Sequence, residues 1–368
     1  MSKERQHIPQ LRFSVFQDNW SCEKISILFK IYVGGDIDKQ HVSKFKTTKF
    51  KYPIYANAKS NKGFYAWSDI FKVNEPCVTI AGRGAHLGIA IARTEFFYPI
   101  VRLLVLRGRR LINTKFFESA LNKLHLYIES TGVPQLTAPQ IGNYNVTYPS
   151  LPEQQKIADF LTIVDKKIQA LEKKKALLEQ YKKGVMQKIF KQEIRFKQED
   201  GSDYPEWEEK EIGNVLKIGS GKDYKHLNTG EIPVYGTGGI MLYVDEFLYD
   251  GDSVGIGRKG TIDKPVFLKG KFWTVDTLFY THSFVKILPF FVYVTFQTIN
   301  WKKYSEASGV PSLSKSTIER IKVQVPTLDE QNDITNYLML LDNKINIVAC
   351  QVDKMKTWKK GLLQQMFV

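Results

Sequence analysis

Residues 131–190 of this 368-residue chain are written a second time, without a gap, at 308–367. Thr-Gly-Val-Pro-Gln-Leu at 131–136 returns as Ser-Gly-Val-Pro-Ser-Leu at 308–313, an offset of 177. At that offset Pro149, Leu151, Glu153, Gln154, Ile157, Leu161, Asp165, Lys167 and Ile168 become Pro326, Leu328, Glu330, Gln331, Ile334, Leu338, Asp342, Lys344 and Ile345. Lys182-Lys183-Gly184 returns as Lys359-Lys360-Gly361. Roughly a third of the aligned positions are identical, which chance does not produce, and a repeat of this length decides the architecture before any local motif does.

The duplicated segments read as long helices. Ile157, Leu161, Val164, Ile168, Leu171, Leu178, Val185 and Ile189 keep a 4-3 spacing, with Lys175 and Lys182 at the two remaining seam positions. Ile334, Leu338, Leu341, Ile345, Val348, Val352, Met355, Leu362 and Met366 keep the same spacing. A stripe of period 3.5 requires a partner helix, and equal length with a gapless match points to mutual pairing. Glu153 and Glu330 fall in the first turns, where negative charge suits the helix dipole.

Upstream the copies agree loosely: Leu11-Arg12-Phe13 then Trp20 with Ile194-Arg195-Phe196 then Trp207, Pro53-Ile54-Tyr55 with Pro233-Val234-Tyr235, and Gly82-Arg83 with Gly257-Arg258. Short β-branched or aromatic runs such as Val78–Ile80, Ile89–Ile91, Val101–Leu106, Val254–Ile256 and Phe272–Val275 are bounded by turn residues. Helical stretches are expected near Thr114–Tyr127 and Leu288–Trp301. The division expected is a body at 1–150, a helix at 151–192, a second body at 193–325 and a second helix at 326–368. The fold class is therefore α+β, two globular domains in internal repeat joined by two long helices.

Charge narrows the partners. The 53 Lys and Arg exceed the 38 Asp and Glu by 15, and the excess sits in 1–150 (21 basic, 10 acidic) and 151–192 (10 and 5). The remaining segments are close to neutral. Such a chain attracts polyanions, and charge by itself fits DNA, RNA or an acidic protein equally well. Three scattered cysteines, Cys22, Cys77 and Cys350, supply neither a disulfide framework nor a zinc cluster, which fits a reducing cytoplasm. The most apolar window, Phe284–Phe296, is too short and too interrupted to cross a bilayer, and no signal peptide is expected.

Catalytic signatures do not follow. Gly255-Ile-Gly-Arg-Lys-Gly260 matches G-x-G-x-x-G, yet Thr-Ile-Asp-Lys-Pro follows it and offers no helix N-terminus for a pyrophosphate. The Asn/Asp-Pro-Pro-Tyr/Phe string of DNA amino-methyltransferases does not occur, nor does a Walker lysine motif, and the six histidines lack metal spacing. Neither cofactor nor metal is expected, and the chain reads as a protein that binds rather than reacts.

The Pro-x-Leu-x-Glu-Gln strings at Pro149–Gln154 and Pro326–Gln331, the Asp-x-Lys-Ile steps at Asp165–Ile168 and Asp342–Ile345, and the Tyr235–Ile240 and Gly257–Gly260 segments carry a resemblance. In duplicate and in this order they resemble the specificity subunit of type I restriction-modification systems. The resemblance implies two target-recognition domains, each reading one half of a split site on double-stranded DNA. It implies an antiparallel coiled coil that holds them apart and docks two methyltransferase subunits, with restriction subunits joining the full complex. It also implies a cytoplasmic, non-catalytic subunit without a membrane partner. A stand-alone nucleic-acid-binding or architectural protein is the alternative, although such a protein has no need of two long helices kept alike. The first body departs at one point, having Tyr55-Ala-Asn-Ala-Lys-Ser where the second has Tyr235-Gly-Thr-Gly-Gly-Ile.

Candidate DNA-reading residues follow from side-chain chemistry in glycine-bearing loops. Arginine and lysine reach guanine O6 and N7, asparagine reads adenine, and threonine meets the thymine methyl, while glycine lets backbone approach the duplex. Lys59, Asn61, Lys62, Tyr65, Arg83 and His86 are the candidates in the first body. Tyr235, Thr237, Arg258, Lys259 and Thr261 are those in the second.

Overall fold

The computed structural model describes residues 8–57, 60–84, 86–124, 126, 135–307 and 309–368. Lys59, Tyr127, the string 131–134 and Ser308 lie outside the described residues. The chain divides into two compact units: residues up to Leu171 together with Gln351–Val368, and Glu172–Cys350.

In the first unit a four-stranded antiparallel sheet runs in the order Phe29–Val33, Leu104–Gly108, Cys77–Ile80, Ala90–Arg93. A second sheet runs Val42–Ser43, Phe64–Ser68, Tyr52–Tyr55, Tyr98–Pro99, its last pairing parallel. The helix Thr114–Asn122 covers the first sheet, opened by Asn113, whose side chain accepts from the Phe116 amide at 2.9 Å. Its Phe116 and Phe117 are wholly buried, Phe117 edge-on to Phe29. Together they place a large apolar load at the centre of the unit.

The second unit repeats this plan. Lys217–Ser220, Leu278–His282, Ser253–Gly257 and Val266–Leu268 form its first sheet in the corresponding order. Gly239–Val244, Thr229–Gly236, Lys271–Thr274 and Tyr249–Asp250 form its second, again with one parallel pairing. Pro289–Thr298 is the covering helix, with proline at its first position. The bodies thus keep one topology although their sequences agree only loosely, and each adds a different edge strand, Val42–Ser43 or Tyr249–Asp250.

The two long helices span Leu151–Phe190 and Leu328–Met366, so both unit boundaries fall inside a helix. In the first unit Ile157, Leu161, Val164 and Ile168 are buried with Leu362 and Met366 of the antiparallel segment. In the second, Met186 and Ile189 are buried with Ile334, Leu338 and Leu341. The expected seam lysines are half-buried. Lys182 Nζ lies 2.6 Å from Asp342 Oδ1 in the second unit, and Lys359 bonds Asp165 in the first. The repeated Asp-x-Lys-Ile and Lys-Lys-Gly strings are therefore the two halves of one ion pair, made once in each unit.

The other repeated string, Glu-Gln, fastens each helix to its body. Arg12 Nε and a terminal guanidinium nitrogen donate to the two oxygens of buried Glu153, each at 2.7 Å, and Trp20 Nε1 donates at 3.3 Å. Arg195 grips Glu330 in the same way at 3.1 and 2.9 Å, with Trp207 Nε1 at 3.0 Å. These hydrogen bonds hold both guanidinium groups more firmly protonated than usual. Gln154 Oε1 accepts from the Asn113 amide at 3.0 Å and its amide donates to Pro149 O at 2.9 Å. Gln331 accepts from the Leu288 amide at 2.8 Å and donates to Pro326 O at 2.9 Å. In each unit one glutamine thus ties the covering helix to the long helix.

Candidate nucleic-acid interface

Three loops meet at one end of each body. In the second unit the turn after Lys271–Thr274 joins the other two: the Val275 amide donates to Tyr235 O at 3.0 Å, and Thr277 O accepts from the Arg258 amide at 2.8 Å. Tyr235 precedes and Thr237 belongs to a two-residue hairpin tip, Thr237-Gly238, closed by Gly236 opposite Gly239, whose φ of 113° calls for glycine. Arg258, Lys259 and Thr261 lie on the loop between Ser253–Gly257 and Val266–Leu268. A Cβ at Gly257 would come within 2.0 Å of Thr261 O, so that loop folds back against glycine backbone. The G-x-G-x-x-G string accordingly runs from strand into turn and on to an antiparallel strand.

Arg258 and Lys259 are exposed and line a cavity of about 570 Å3 with Phe279, Glu306, Ser312 and Lys315. Glu306 accepts from Ser314 Oγ at 2.6 Å, which holds its carboxyl below its ordinary range. Two basic side chains beside a hydrogen-bonded carboxylate can both attract a phosphate backbone and exclude a wrong donor pattern. Tyr235 is half-buried, its ring edge-on to Phe272 at 6.4 Å, and burial raises its hydroxyl pKa. Its ring supports the loop, and Thr237 and Thr261 are half-buried as well, which leaves Arg258 and Lys259 as the exposed groups of the set.

In the first unit the hairpin loop is longer, reaching from Tyr55 to Phe64 and closed by the Ala56 amide donating to Gly63 O at 2.8 Å. Asn61 and Lys62 are exposed in left-handed backbone, φ 46° and 52°. Buried Arg93 holds this loop: its Nε donates to Thr79 Oγ1 at 3.1 Å, a terminal nitrogen to Lys62 O at 2.5 Å, and its plane lies 3.5 Å from the Tyr55 ring. Burial lowers the Arg93 pKa and, with a 2.6 Å bond to Glu95, raises Tyr55 to about 12. Tyr65 is exposed on Phe64–Ser68, and His86 is half-buried just after the Gly84 turn. Lys59 lies outside the described residues.

The backbone corrects one pairing. Leu136 donates to Gly82 O at 2.8 Å and Gln135 bridges Arg83; Leu313 donates to Arg258 O at 2.9 Å and Ser312 bridges Lys259. Gly84 and Gly260, next in each chain segment, share a φ of 87°. The counterpart of Arg83 is therefore Lys259, and Arg258 stands where the first body has Gly82. Sequence comparison slips by one because both copies contain Gly-Arg, whereas the register of Ile80 against Leu104 and Ile256 against Phe279 does not. Val101-Arg102 also departs from expectation: it is a turn, and the strand begins only at Leu104. Asn57, which the sequence does not single out, braces this corner by accepting from the Gly82 amide at 2.9 Å and donating to Val101 O. Among the described residues no cluster of three His, Cys, Asp or Glu could hold a metal, and no helix is long and apolar enough to cross a membrane.

Two α+β bodies of one topology, each followed by a long helix and each with a basic loop at the same corner, define an internally duplicated α+β protein. The sequence pattern of the type I restriction modification DNA specificity domain matches residues 17–180 and again 204–354, and the chain belongs to that family. A putative type I specificity subunit of Mycoplasma pneumoniae is 33% identical over 129 residues, 35% of each chain. A second from the same organism is 30% identical over 132 residues, 36% of this chain and 39% of that one. The alignments thus span little more than a third of those relatives. The type I restriction enzyme MjaVIII specificity subunit of Methanocaldococcus jannaschii is 25% identical over 64% of each chain. In fold the chain is similar to the type I S subunit of M. genitalium, with a TM-score of 0.67, 18% identity, and 98% and 99% of the two chains covered.

Proposed function

We propose that this chain is the sequence-reading subunit of a type I restriction-modification complex and performs no chemistry itself. The bodies at 1–150 and 193–325 each read one half of a split site on double-stranded DNA. The helices at 151–192 and 326–368 dock two methyltransferase subunits, which restriction subunits join in the full complex within the cytoplasm. The observation that carries this reading is the twofold occurrence of one corner, Arg83-Gly84 against Gln135 and Lys259-Gly260 against Ser312. It puts exposed cations on glycine-permitted backbone at the same place in both bodies, and its neighbours Thr237, Asn61 and Lys62 differ, as two different half-sites require. Family membership disfavours a stand-alone architectural protein.

Exchanging residues 1–150 for the corresponding body of another family member tests the reading when methylated sites are mapped in a host that carries the cognate subunits. One half of the modified site changes and the other stays. A change in both halves, or in neither, overturns it.

A further inference from the structure

The turn at Val101-Arg102 spends conformational freedom in an unusual place. Leu103 donates to Ile100 O at 3.1 Å, and both residues between them have positive φ, 52° and 58°. Turns of that kind ordinarily use Asn-Gly, and a β-branched residue there is an outlier. The second body has Asp276-Thr277 at the equivalent step, and neither residue adopts positive φ. The first body holds its turn from several sides. Val101 and Arg102 donate to the carbonyls of Gly35 and Gly34 at 3.0 and 2.9 Å, and Asn57 donates to Val101 O. Gly82 lies so close that a Cβ there would come within 2.7 Å of Arg102 O. Backbone held this firmly in a rare conformation fixes where its side chain leaves the surface.

That side chain is an exposed guanidinium. A terminal nitrogen of Arg102 donates to Gln135 Oε1 at 3.0 Å, and Gln135 is the residue whose backbone bridges Arg83. No described carboxylate takes the guanidinium in an ion pair, so its remaining donors face solvent beside a glutamine amide and a second arginine. Arginine reads guanine and glutamine reads adenine through paired hydrogen bonds, and a side chain already oriented loses less freedom on binding.

We infer that Arg102, positioned by Gln135, is a specificity-determining base contact of the first body, placed beside Arg83; this rests on the DNA-reading function proposed above. The second body, with Thr277 in its place, reads its half-site without an equivalent arginine.

The test is selection of bound sequences by the purified full chain from a library of DNA duplexes of random sequence, comparing the native chain with Arg102→Gly and Gln135→Ala. Glycine accepts the positive φ, so the turn keeps its shape while the guanidinium is removed, and equal melting temperatures confirm it. Arg102→Gly is expected to lose preference at one base pair of one half-site and to bind the native sequence on the order of tenfold more weakly, with its salt dependence unchanged. Gln135→Ala should blur the same base pair. Unchanged preference at every position overturns the inference, and so does uniform weakening with a salt slope shallower by about one unit, the mark of a phosphate contact. A native chain that selects no sequence at all overturns instead the DNA-reading function beneath it.

Discussion

Glu153 and Glu330 are the residues on which each body depends for its hold on a long helix. Each is buried, and each satisfies an arginine fork and an indole N–H that the sequence places more than a hundred residues away. Removing one member of such a set strands the others. Glu153→Ala should therefore lower stability by about 3 kcal/mol or more, and Glu330→Ala likewise, each read from a denaturant unfolding curve. A loss below about 1 kcal/mol would mean that water replaces the carboxylate without penalty. The Arg12–Trp20 and Arg195–Trp207 echoes are visible in the sequence, but their purpose is not, since nothing in a linear string says which carboxylate an arginine meets. Arg93 shows the same limit from the other side. It reads as one basic residue among many, yet it is buried and supports the loop of Lys62.

At the level of elements the seam is legible because its physics is periodic: a 4-3 spacing of apolar residues has one helical solution. Of the lysines that interrupt it, Lys182 becomes intelligible only with the antiparallel partner, which brings Asp342 to it as it brings Asp165 to Lys359, whereas Lys175 pairs with Glu179 of its own helix at 3.7 Å. A polar pair inside a seam fixes register at some cost in stability. Asp165→Lys and Lys359→Asp should each destabilise the first unit. Combining them should recover on the order of 1 kcal/mol relative to the sum of the two, measured as a double-mutant cycle in thermal or chemical unfolding. Strict additivity would show the pair to be idle. The strands are less legible. Their runs are short, and Val101-Arg102 sits in a turn that local preference opposes, so hydrogen bonds to the carbonyls of Gly35 and Gly34 and from the Asn57 amide decide it. The candidate corner was correspondingly half-readable: Arg83 and Lys259 stand out as loop cations, while their equivalence needs the strand register.

For the whole molecule, the division of the chain inside both helices makes helix length a testable variable. Inserting one heptad after Lys174 and one after Gln351 keeps both stripes in phase and adds about 10 Å of helix. If the helices set the spacing of the half-sites, the mapped sites should keep their two sequences and move apart by about three base pairs. An unchanged gap with undiminished modification removes the helices from that role.

The first unit includes Leu362, Met366 and Phe367, with Phe367 set against Trp20 and Phe116, whereas the second draws on nothing beyond Cys350. On a ribosome the order of completion is therefore the reverse of the order of synthesis. The body made first waits, its core around Trp20, Phe116, Ile157 and Leu161 lacking Leu362, Met366 and Phe367, until residues 351–368 have been translated, while the body made second has all its parts sooner. Until then a nascent chain of this design exposes that unfinished edge of its apolar core, the kind of surface at which aggregation competes with folding.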